Sequence, residues 1–188
     1  MVVLKVFMDK LKNTLIGKAG ILGMLAFVLV MLSSWITLDS LPKSFAKKIN
    51  KAVVELWGDG VELKNYTLKQ PQKESFQKVG VEGVFEVRNS QNLLGYVVLA
   101  KARSKFENFE YVVYYDQNKT IKAVRILLYR EDYGGEIASK RWLRQFDGKT
   151  SQSPITIDND IQGISGATIS YLAITKGVKN ITQLMSSL

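Results

Sequence analysis

Four consecutive small residues, Ser165-Gly166-Ala167-Thr168, stand directly before an apolar helical stripe, and Ser170 adds a third hydroxyl. A helix amino terminus exposes unpaired N–H groups and the positive end of the helix dipole, so it attracts anions. Gly166 and Ala167 keep side-chain bulk off the backbone, and the stretch reads as a phosphate cradle. Ser, Thr and Gly are also the residues of an ordinary helix cap. On spacing alone both readings stand.

Two further chemistries fare worse. Gly163-Ile164-Ser165-Gly166-Ala167 differs from the G-x-S-x-G nucleophile elbow only in Ala167. That elbow needs a general base, usually His, and the chain has none. Nothing marks Lys149 or Lys176 as the partner in a Ser-Lys arrangement. The nucleotide loop G-x-x-x-x-G-K-[ST] is absent.

The composition narrows the choice again. With no Cys and no His among 188 residues, thiol catalysis, disulfides, cysteine-ligated clusters and His-ligated zinc or haem are excluded. Electron transfer by such a chain needs an organic cofactor or a carboxylate-bound metal. The net charge of +9 is scattered, and no dense Arg cluster interleaves with aromatics, so nucleic acid is not an expected partner.

Several elements must position the cradle. Residues 170–187 place Tyr171, Ile174, Val178, Ile181 and Met185 on one helical face. Stretches from Val79, Leu93, Glu110 and Lys122 read as strands, the last two joined by the turn Asp116-Gln117-Asn118-Lys119. Short links between them predict a mostly antiparallel sheet. Residues 132–146 read as helical or mixed. From Leu41, Phe45, Ile49, Val53 and Leu56 form a helical stripe ending at Gly58-Asp59-Gly60, expected as a stalk.

Residues 19–38 carry no charge and are long enough, at about 1.5 Å per residue, to cross a hydrocarbon core. An uncleaved anchor is expected there, preceded by a short cytoplasmic segment (1–18). The stalk and linker (39–74) and a folded domain (75–188) follow. Lysines balance on the two sides of the span, so charge does not orient it. The expected fold class is α+β: one transmembrane helix, a mostly antiparallel sheet packed with helices, and a closing amphipathic helix.

Ser-Gly-Ala-Thr before an amphipathic helix resembles the flavinylation motif of the FMN-binding domain family. That family includes the G subunit of Rnf electron-transport complexes and the C subunit of the sodium-pumping NADH:quinone reductase. The block LLGYVVLAKARSKFENFEYVVYYDQNKTIKAVRI resembles the family's Gly-aromatic strand and hairpin. Tyr129-Arg130-Glu131-Asp132-Tyr133-Gly134 is similar to its strand-end motif H-x-E-T-P-G, and RWLRQFDG to its Trp-to-Phe-x-Gly stretch. Tyr129 stands at the motif's His. Gln162 stands six residues before the Thr, where the family often has an acid.

The resemblance implies FMN esterified through its phosphate to Thr168. Ser165, Gly166, Ala167 and Ser170 would lie around the phosphate, and Glu131, Gly134 and Trp142 near the flavin. It also implies a flavin transferase for maturation and redox partner subunits in a bacterial inner membrane, with the domain on the extracytoplasmic side. The expected function is an electron relay. The competing expectation is an anchored accessory or assembly protein of the same fold without covalent flavin.

Overall fold

Five antiparallel strands in the order β1-β2-β3-β4-β5 form a meander: β1 (Glu62–Asn65), β2 (Val81–Arg88), β3 (Leu93–Arg103), β4 (Asn108–Asp116) and β5 (Ile121–Leu128). The computed structural model describes residues 36–188, so the expected cytoplasmic segment and the anchor up to residue 35 lie outside the described residues. Among the described residues no helix is long and apolar enough to cross a membrane. The last residues of the expected anchor, 36–38, sit on the sheet: the Ile36 N–H donates to the Glu82 carbonyl, and Leu38 packs on the core.

Strand alternation places Val97, Leu99, Val112 and Tyr114 on one sheet face, under helix α1 (Lys43–Trp57), whose Ile49, Ala52 and Val53 complete that core. The helix expected as a stalk is therefore a layer of the domain, because its apolar stripe finds the sheet. Closing helix α4 (Thr168–Met185) covers the other face, where the Tyr115 hydroxyl meets Thr182 Oγ1 at 2.8 Å. With helices on both faces, residues 95–100 of β3 are buried without interruption, and the period-two signal fades there.

Two elements lie where only a linker was expected. β1 is a short charged edge strand with a Lys64–Glu62 ion pair, a composition that discourages edge-to-edge pairing. Helix α2 (Gln70–Lys78) starts with Pro in its first turn and buries Phe76. Between β5 and α4, the expected mixed segment is the short helix α3 (Lys140–Leu143) flanked by 3-10 turns at Gly135–Ala138 and Arg144–Phe146.

Candidate functional site

Three segments distant in sequence converge at one end of the sheet. They are the β3–β4 turn (residues 104–107), the exit from β5 (residues 129–136) and the knot at the start of α4 (residues 165–170). They enclose a groove of about 810 Å³, within the size range of cofactor sites.

The knot does not behave as a cap. Ala167 occupies the N-cap position of α4, and no side chain accepts from the helix's first N–H groups. Those donors are left to whatever the groove holds. Gly166 adopts φ +83° with nothing within 4 Å of where a Cβ would stand. It is glycine for its backbone conformation, and the space beside its backbone is open. Thr168 is the first helical residue, exposed on the groove wall, and its hydroxyl makes no hydrogen bond among the described residues.

A hydroxyl network lies beneath. Ser104 and Ser170, only 3% and 2% exposed, are bonded to each other through their Oγ atoms. The Tyr129 hydroxyl lies 2.9 Å from Ser170 Oγ and donates to the Tyr133 carbonyl at 3.0 Å. The direction of that last bond orders the rest: Tyr129 accepts from Ser170, and Ser170 accepts from Ser104. Tyr129 stands where the resembled motif has His, and its hydroxyl links Ser170 to the Tyr133 carbonyl at this junction.

Glu131 works on the backbone. Its Oε1 accepts from the N–H groups of Phe106 at 2.7 Å and Glu107 at 3.1 Å, pinning the β3–β4 turn to the β5 exit. The Phe106 N–H bond is the main reason its carboxyl is held below the usual carboxylate range. Gly134 has φ +80°, and a Cβ there would stand 3.0 Å from both the Ala167 Cβ and the Tyr129 hydroxyl. It is glycine so that the loop can meet the knot.

Of the residues singled out from sequence, Thr168, Ser165, Gly166, Ala167, Ser170, Glu131 and Gly134 all line this groove. Trp142 does not. It is buried edge-to-face against Phe146, and its Nε1 donates to the Gln162 carbonyl at 2.7 Å. Its place is to hold the strand of loop that leads into the knot. Gln162 donates its own N–H to Gln145 Oε1 at 2.7 Å, so this position is tied to the 140–146 segment and stands apart from the groove.

Sequence reading missed Ser104, Lys105 and Phe106, which also line the groove, and named Tyr129 and Tyr133 only as members of the strand-end motif. A phenylalanine inside the polar turn Ser104-Lys105-Phe106-Glu107 was the available signal. The charges were also unforeseen. Lys105 and Arg130 are outnumbered by Glu107, Glu131, Asp132 and Glu136 along the groove, and Arg130 is committed to Glu110 in a two-pronged pair at 2.8 and 3.0 Å. The chain's net positive charge is not concentrated here.

One comparison bears on this region. Residues 107–183 match the model of the FMN-binding domain. The match runs from the start of β4 through the groove and the knot into α4, a narrower stretch than the expected 75–188. No curated protein matches the chain. This region is thus similar to the FMN-binding domain, and the groove has features that suit a flavin. It offers uncapped helix N–H groups for a phosphate, open backbone at Gly166 and volume for a tricyclic ring.

Proposed function

We propose that the chain is a membrane-anchored flavoprotein that relays electrons through FMN esterified to Thr168. The observation that carries this reading is the placement of Thr168: an exposed hydroxyl with no partner among the described residues, at the uncapped start of α4, on the wall of an FMN-binding domain's groove. The groove's excess of carboxylates supports a tether over simple affinity. A free phosphate dianion gains little from such a lining, whereas an ester stays in place regardless of the local charge.

The tether forms when Thr168 Oγ1 bonds to the FMN phosphorus of FAD. AMP departs with the cleaved pyrophosphate oxygen, and the hydroxyl proton passes to solvent. A separate flavin transferase with a divalent metal carries out this exchange. The α4 N–H groups and the Ser165 hydroxyl would hold the phosphate oxygens. Ser170, Ser104 and Tyr129 fix the helix start against the β5 exit. Bound there, the flavin supplies one- and two-electron redox chemistry that a chain without Cys or His lacks. The amino-terminal anchor keeps the domain on the extracytoplasmic side of a bacterial membrane, beside its redox partner subunits.

The test is co-expression of the full chain with a flavin transferase, followed by a denaturing gel viewed for flavin fluorescence and an intact-mass measurement. The expected result is one esterified FMN per chain, lost in Thr168→Ala. A dark band of unmodified mass overturns the covalent reading and leaves a binding module of the same fold.

A further inference from the structure

Six large apolar side chains are exposed among the described residues, and three of them, Phe106, Tyr133 and Ile169, line this one groove. Tyr133 is 84% and Phe106 67% exposed. Each stands on a different segment, so local chain chemistry does not explain their gathering. Exposed aromatic area gains nothing in the free chain, and its clustering around a cavity marks a ligand surface.

The backbones beneath the two rings are held firmly while the rings themselves are exposed. Glu131 binds the N–H of Phe106 at 2.7 Å, and the Tyr129 hydroxyl binds the carbonyl of Tyr133 at 3.0 Å. Both anchors sit on the same short strand exit, residues 129–131, which sets the separation of the two aromatic residues. Lys105 Nζ lies 4.9 Å from the centre of the Phe106 ring and covers one of its faces. Such an arrangement suits a flat aromatic ligand, which gains from stacking beyond the area it buries.

Resting on the FMN reading above, we propose that Phe106 and Tyr133 form the contact surface for the isoalloxazine ring of the flavin, with Glu131 as the positioning residue that holds the Phe106 turn in place. The ligand class is thus a planar, electron-poor heterocycle tethered at Thr168 on the same groove. Both aromatic residues would contact the ring from the exposed rim of the groove.

Tyrosine in contact with photoexcited flavin lends it an electron and takes it back, which quenches emission without net oxidation. Phenylalanine is too hard to oxidise to do so. The experiment therefore uses the flavin-loaded full chain, with attachment confirmed by intact mass. It compares flavin emission and visible absorption in the native and guanidinium-denatured states. Native wild-type emission is expected several-fold below that of the denatured chain. Tyr133→Phe is expected to recover most of that emission with the absorption shape unchanged, since the phenyl ring still stacks. Phe106→Ala and Tyr133→Ala are expected to move the visible band toward that of free FMN. Because both side chains are exposed, circular dichroism of the variants is expected to match wild type. Loaded flavin with equal emission in native and denatured wild type, or no response to Tyr133→Phe, overturns this assignment and leaves the FMN reading intact. Absence of attached flavin in every chain overturns both.

Discussion

The Tyr129 hydroxyl and Ser170 Oγ stand 2.9 Å apart, joining the end of β5 to the first turn of the closing helix. Through this contact and the Ser104–Ser170 bond, the position of Thr168 depends on two strands as well as on its own helix. Buried hydroxyls of this kind contribute about 1 kcal/mol each when paired. Tyr129→Phe and Ser170→Ala are each expected to destabilise the domain by about that much. The double variant is expected to lose less than the sum, since the two share one network. Denaturant midpoints of the four chains measure the coupling, and strict additivity would contradict the network.

Gly134→Ala is expected to damage the groove more than its size suggests. The residue has φ +80°, and the new methyl would stand 3.0 Å from Ala167 Cβ. The left-handed backbone costs an alanine about 1 kcal/mol, and relief of the clash pushes the knot away from the β5 exit. A lowered thermal midpoint together with a smaller fraction of flavin-loaded chain, read by intact mass, is the expected pair of outcomes.

Gly177 is half-buried in α4, where a Cβ would collide with the Tyr111 hydroxyl. That hydroxyl is fully buried and has no hydrogen-bond partner among the described residues. Gly177→Ala is therefore expected to destabilise by about 1–3 kcal/mol, the usual range for overpacking. Tyr111→Phe removes both the obstruction and an unpaired polar group, so the double variant is expected to recover most of the loss. Chemical denaturation of both chains decides it.

The Glu131 carboxyl is held below its ordinary range in the folded domain, chiefly by the Phe106 N–H, with the Glu107 N–H and Lys105 adding to the effect. A depressed folded value means that the stabilisation is present above the unfolded value and fades as pH falls through the folded one. Glu131→Gln is thus expected to be less stable than wild type at neutral pH, and the difference is expected to close in acid. A gap that stayed constant between neutral and strongly acidic pH would show that the charge is not what holds the turn.

Three buried tyrosines, Tyr111, Tyr114 and Tyr115, have hydroxyls pushed by burial well above their ordinary value of 10.0. A raised folded value gives stability that is complete below the unfolded value and is lost as pH rises beyond it. In an alkaline titration followed by tyrosinate absorbance, these three of the eight tyrosines are expected to ionise only as the domain unfolds, in one cooperative step.

Much of the fold was legible because it is written in neighbouring residues. The apolar runs of β2 to β5 and the stripes of α1 and α4 are local patterns, and the hairpin turn at Asp116 to Lys119 has its own chemistry, with Asp116 Oδ1 accepting from the N–H groups of Asn118 and Thr120. β1 and α2 escaped notice because each offers too little pattern: one apolar residue in Glu62–Asn65, and a single buried side chain, Phe76, in Gln70–Lys78. The stripe of α1 announced a partner without naming it, and a stalk was as consistent with that stripe as a layer against the sheet.

By itself the sequence determined the helix and strand periods, the absence of thiol and imidazole chemistry, and the presence of a hydroxyl at the start of the closing helix. Periodicity, composition and motif order are properties of the chain read along its length. Only the tertiary structure decided which residues share the groove. Ser104, Tyr129 and Ser170 are separated by 25 and 41 residues along the chain, yet their hydroxyls meet. It also moved Trp142 from the groove into a supporting core and brought Phe106 and Tyr133 to its edge. The reason is that a meander folds distant turns onto one end of a sheet. Contacts there depend on register and on helix docking, which no local pattern records.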